Sequence, residues 1–135
     1  MKIIPLSASA GISGFESPAA EYMQRSCNLE ELLVEHPSST FLGLANGDSM
    51  QGVGIFDGDI LIVDRGQEER SGDVVVAAYN GEFVCKVLDK DNGLLISANE
   101  TYPSIKVSEM DSLIVEGVVT RSIRCHRPTY LFGGD

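Results

Sequence analysis

The chain has 135 residues, 43% of them apolar, which is one domain's worth of sequence with enough hydrophobic side chains for a real core. Twenty Asp and Glu against ten Lys and Arg leave a net charge of -10, which repels phosphate and disfavours direct nucleic-acid binding. Every apolar run is far short of the roughly 20 residues of a membrane span, and "MKIIPLSASAG" is too brief for a signal peptide, so the expectation is a soluble cytoplasmic protein that does not engage a membrane.

Residues 1 to 16 are rich in Ser, Ala and Gly without periodicity, and read as a flexible N-terminal arm ahead of a single domain over 17 to 135. Ser17-Pro18 can open a short helix through "AAEYMQ". Asn28 with Glu31 three residues on resembles a capping signal for "LEELLVE", which His36-Pro37 stops. From Thr40 the pattern changes to brief β-rich runs: "TFLGLA", "ILIVD", "DVVVAAY", "EFVCKVL", "LLISA", "IKVS" and "LIVEGVVT". Between them stand Asn46-Gly47, Asp57-Gly58, Asn80-Gly81 and Asn92-Gly93, dipeptides that tolerate positive φ and so suit tight turns. These runs predict a compact, mainly β, mostly antiparallel fold.

The three cysteines, Cys27, Cys85 and Cys125, are odd in number, far apart and without CxxC spacing, which fits free thiols and suggests neither a disulfide framework nor a zinc site. Asp57 and Asp59 in "DGD" lack the rest of a calcium loop and read as turn residues. No metal or cofactor is expected.

One residue breaks the apolar β pattern. If Asn80-Gly81 makes a two-residue turn, Tyr79 pairs with Glu82, Ala77 with Val84 and Val75 with Lys86, in a strand that looks buried on both faces. Such a lysine either lies near a sheet edge and carries its charge out to water, or stays dry. In the second case desolvation disfavours the ammonium, and a neutral amine is a general base. A base needs a proton donor, and Ser49 in "LANGDSMQGVGIFDGD" is the most suggestive one, since turn amides among glycines can converge on an oxyanion. The same stretch also reads as an ordinary turn. It fails the GxSxG elbow because Gln51 takes the last glycine position, which argues against an α/β-hydrolase. His36 and His126, the two histidines a Ser/His arrangement would need, read as surface residues.

The stretches "GFESPAAEY", "HPSSTF", "GDSM", "DGDILIVD", "GDVVVAA", "GEFVCK" and "EGVVT", in this order over most of residues 14 to 120, resemble the UmuD proteins within the LexA-like self-cleaving serine peptidases. The resemblance implies a mainly β peptidase domain in which Ser49 is the nucleophile and Lys86 the general base, with the backbone amides of Ser49 and a neighbour, Asp48, facing the oxyanion. It places the scissile bond between Ser13 and Gly14. Family members usually carry Cys or Ala where Ser13 stands, and Ala10-Gly11 is the alternative bond, three residues out of register. The 35 residues between Ser13 and Ser49 span on the order of 100 Å if extended, so cleavage within one chain and between dimer partners are both within reach.

The resemblance further implies a homodimer of the SOS DNA-damage response, cut under stimulation by RecA filaments on single-stranded DNA, whose shortened product joins a UmuC-type Y-family polymerase for translesion synthesis. The alternatives are a non-enzymatic LexA-like dimerisation module, a polymerase accessory without efficient self-cleavage, and a signal-peptidase-like protease. A 16-residue arm is too short for a repressor's helix-turn-helix, and the third alternative would need a membrane anchor.

Overall fold

A computed structural model describes residues 28 to 130. The chain divides into two units, Met1–Glu35 and His36–Asp135. The expected arm and the helix through "AAEYMQ" lie outside the described residues.

In the first unit, α1 spans Leu29–Leu33 and is capped by Asn28, whose Oδ1 accepts from the Glu31 N–H at 3.2 Å. Glu30 and Glu31 sit in the first turn, where the helix dipole favours negative charge. The helix ends at Val34, in extended conformation, short of the expected "LEELLVE". It buries no residue, so no packed apolar stripe extends it beyond what the cap supports.

In the second unit every predicted run becomes a strand: β1 (Thr40–Leu44), β2 (Ile60–Asp64), β3 (Val74–Tyr79), β4 (Glu82–Asp89), β5 (Leu94–Ile96), β6 (Ile105–Lys106) and β7 (Leu113–Ile123). They form one seven-stranded sheet in the order β1-β2-β7-β3-β4-β5-β6, with antiparallel pairing throughout. The β3–β4 hairpin has the expected register, Val75 opposite Lys86 and Tyr79 opposite Glu82. Asn80 (φ 48) and Gly81 (φ 86) both have the positive φ of a type I′ turn, whose twist matches that of the flanking strands.

β7 runs between β2 and β3 and bears the sheet's two register shifts, opposite Ile62/Val63 and Val76/Ala77. Gly117 lies at this crossing, where a Cβ would stand 2.8 Å from Val63 Cγ1 and 3.1 Å from the Asp64 carbonyl, so a side chain there would force the strands apart.

Alternating side chains divide the core between the two faces. One cluster gathers Ala45, Met50, Ile55, Leu61 and Val63 with Val74, Val76 and Cys85 against it; the other gathers Val75, Leu88, Leu95 and Val118. Each large apolar side chain so removed from water contributes about 1.5–3 kcal/mol. β2 is buried along its whole length, whereas β4 is only partly buried, contrary to the expectation that Lys86 lies on a strand covered on both faces. The cause is topological: β5 pairs with β4 only over Val87, Leu88 and Asp89, so among the described residues Glu82 to Lys86 have β3 on one side and no strand on the other.

Candidate active site

Lys86 occupies the position where β5 ceases to cover β4. Its side chain is half-buried, and Nζ lies 2.9 Å from the Ser49 hydroxyl.

Ser49 is held in place by what surrounds it in sequence. β1 ends at Leu44, and Ala45 is tied on both sides, its N–H donating to the Asp59 carbonyl and its own carbonyl accepting from Gly58. Gly47 (φ 86) turns the chain, and its N–H donates to Asp57 Oδ1 at 2.7 Å. Met50, the next residue after the serine, is 3% exposed and packs with Ile55, which also donates its N–H to the Met50 carbonyl. A short 3-10 turn, Gln51–Val53, closes at Gly54. Burial of Met50, worth about 2 kcal/mol, therefore anchors the turn while leaving the serine beside it on the surface of a cleft.

That cleft has a volume of 460 Å³ and is lined by Phe41, Leu44, Gly47, Ser49, Phe83 and Lys86 among others. On its rim Arg65 stacks over the Phe41 ring at 5.1 Å and donates to Glu116 at 2.9 Å. Its walls are largely apolar, with the polar atoms of Ser49 and Lys86 side by side.

Partial burial lowers the Lys86 pKa below its ordinary value, with the neighbouring Cys85 acting weakly in the opposite direction. Among the described residues no carboxylate pairs with this lysine; its neighbours are the Ser49 hydroxyl and the Tyr102 ring, 6.0 Å away. Burial pushes the Cys85 thiol up to about 11, so it stays protonated and is no competing nucleophile. The pair is thus a hydroxyl beside an amine biased toward its neutral form, which can move a proton from oxygen to nitrogen.

The chain matches the Peptidase S24-like family over residues 2–120. It belongs to that family. Protein SamA of Salmonella typhimurium is 36% identical over 126 residues, 93% of this chain and 88% of that protein. Protein MucA of Escherichia coli is 37% identical over 116 residues, covering 84% and 80%. The LexA repressor of Alcanivorax borkumensis is 38% identical over 115 residues, 83% of this chain but 55% of the repressor. These relatives place this S24 chain with the UmuD-type proteins. No helix among the described residues is long and apolar enough to cross a membrane.

The other candidate residues fall elsewhere in this S24 chain. Ser13, Gly14, Ala10 and Gly11 lie outside the described residues. His126 is exposed. His36 is partly exposed and its Nδ1 lies 2.7 Å from Asp64 Oδ2, so this histidine is committed to a buried carboxylate. Asp57 acts in the turn as expected, but Asp59 does more than turn the chain: it is 1% exposed and takes both Nε and Nη2 of Arg124 at 2.9 Å. The Arg124 bonds and the Phe56 N–H outweigh desolvation and lower the Asp59 pKa. Asp48 is fixed by a residue that sequence reasoning passed over, Tyr102, whose hydroxyl donates to its carboxylate, and by Asn99, whose Nδ2 donates to its carbonyl at 3.0 Å. Separations of 51 and 54 residues leave no local signal for these contacts.

Proposed function

We propose that this chain is a self-cleaving Ser/Lys peptidase of the SOS DNA-damage response. The observation that carries the reading is the 2.9 Å contact between Ser49 Oγ and a lysine amine that has no carboxylate partner among the described residues. Membership of the S24 family supports it.

In the proposed reaction neutral Lys86 removes the Ser49 proton as Oγ attacks the carbonyl carbon of Ser13. The negative charge collects on the former carbonyl oxygen, where the backbone N–H groups of Ser49 and Asp48 would stabilise it. The Lys86 ammonium then returns its proton to the Gly14 nitrogen as the C–N bond breaks. An ester between Ser49 and residue 13 remains, and Lys86 activates a water to hydrolyse it. One amine thus serves as base, acid and base again, which a permanently charged lysine cannot do.

The product beginning at Gly14 is proposed to act as a homodimer with a UmuC-type polymerase in translesion synthesis, and RecA filaments on single-stranded DNA are proposed to promote the cut. The acidic composition suits contact with proteins assembled on DNA more than with DNA itself. Incubation of the purified protein with RecA, single-stranded DNA and a nucleotide is expected to remove residues 1 to 13, read by intact-mass spectrometry. An unchanged mass there and at alkaline pH contradicts the reading and leaves a non-enzymatic, LexA-like dimerisation module in its place.

A further inference from the structure

We propose that Asn99 is a positioning residue of the reaction: by holding the Asp48 carbonyl on the far side of the turn, it aims the Ser49 N–H of the same peptide unit toward the cleft, where the oxyanion forms. The inference rests on the peptidase reading and assigns it a residue that does not touch the reacting atoms.

A trans peptide is planar, with its C=O and N–H pointing in opposite directions, and the described residues contain no cis bond. Fixing one end of the Asp48–Ser49 peptide therefore fixes the other. The Asp48 carbonyl accepts from Asn99 Nδ2 at 3.0 Å and, at 3.4 Å, from the Gln51 N–H that closes the turn. Asn99 lines a shallow depression with Gln51, Ala98 and Tyr102, whereas Ser49 lines the cleft with Lys86. Among the described residues nothing accepts a hydrogen bond from the Ser49 N–H, which leaves that donor available.

The Asn99 side chain has only one way round. Its Oδ1 accepts from both the Thr101 N–H, at 3.0 Å, and the Thr101 hydroxyl, at 2.8 Å, so the amide nitrogen is the end directed at Asp48. The segment that carries Asn99 is itself pinned to the serine's turn. Gly52 N–H donates to the Ala98 carbonyl at 2.6 Å, an approach so close that a Cβ on Gly52 would meet that oxygen. The Tyr102 hydroxyl adds its bond to the Asp48 carboxylate. Three contacts to the turn thus come from one loop, and of these only the Asn99 contact acts on the peptide that carries the Ser49 amide.

The test is Asn99→Asp, which keeps size and the Thr101 contacts but offers Asp48 no donor, with Thr101→Val as a milder variant that removes one of the two bonds orienting the amide. Asn99→Asp is expected to slow self-cleavage by about 10- to 100-fold, in keeping with a misdirected oxyanion donor, and the loss should persist at alkaline pH, where Lys86 is neutral in both proteins. The Ser49 ¹⁵N–¹H and Asp48 ¹³C′ resonances should shift, and in the uncharged Thr101→Val variant the Lys86 titration should stay where it is. Thr101→Val should slow cleavage several-fold. A rate within twofold of wild type, or a Ser49 amide resonance unmoved in Asn99→Asp, overturns the proposal. If the wild-type chain itself never cleaves, the peptidase reading falls, and the resonances still decide whether Asn99 orients this peptide.

Discussion

Two kinds of titratable group are withdrawn from water in this domain, the one fully and the other in part, and they are treated oppositely. Asp59 and Asp64, 1% and 2% exposed, are each surrounded by donors: Arg124 and the Phe56 N–H for the first, His36, Gln67 and the Gly66 N–H for the second. Desolvation works against the Asp64 carboxylate, but these bonds prevail and its pKa is lowered. Lys86 receives a hydroxyl and an aromatic ring instead, and its pKa is lowered too, which for a lysine means that its charged form is disfavoured. The carboxylates are kept charged, and among the described residues the amine has no partner that would keep it so. A structural charge is saturated with partners, whereas a group that must exchange a proton is left short of them.

The largest effect that breaks this contrast is removal of either member of the pair. Ser49→Ala and Lys86→Met are each expected to abolish self-cleavage, a loss on the order of 10³-fold or more, while near-ultraviolet circular dichroism stays native. Residual cleavage in Ser49→Ala would move the nucleophile elsewhere. Next in size is pH. Below the Lys86 pKa the neutral fraction rises about tenfold per pH unit, so unassisted cleavage should climb with that slope from neutral pH and level off below the ordinary lysine value of 10.5. A rate flat over that range contradicts the base assignment.

The structural pairs answer to stability. Arg124→Ala leaves Asp59 buried without its bidentate partner and should cost about 2–3 kcal/mol, read as a lower midpoint in urea unfolding. The smallest effect is the converse one. Lys86 has a folded pKa below its unfolded value, so its desolvated charge opposes folding at neutral pH and the penalty fades as pH rises toward the unfolded value. Lys86→Met should therefore slightly stabilise the fold at pH 7 and lose that advantage at alkaline pH, read as converging urea midpoints. The acid side runs the other way. Asp111, held at about 2 by the Ser108 N–H and Asn80, supports the fold above its usual value of 3.8 and loses that support as pH falls from there toward 2. Asp111→Asn and wild type should accordingly converge in melting temperature at low pH.

The strands and the β3–β4 register were legible because they rest on local signals: two-residue alternation, and Asn80-Gly81 as a turn that leaves one pairing. Ser49 and Lys86 were legible as candidates for a related reason, a polar residue in each case interrupting an apolar or glycine-rich pattern. Asp59 and Asp64 were not, since an aspartate at a strand end looks the same whether it faces water or a partner 28 or 65 residues away. Asn99 and Tyr102 were missed likewise, in a loop whose only message in sequence is polarity. The expected scission between Ser13 and Gly14 falls outside the described residues.

The central claim is that the fold disfavours the charged form of Lys86. It is tested most directly by following the Lys86 ¹³Cε and ¹⁵Nζ resonances against pH in the intact Ser49→Ala protein, where cleavage does not consume the sample. A midpoint below 10.5 is the predicted result. A midpoint at or above the value of an ordinary exposed lysine would contradict the account.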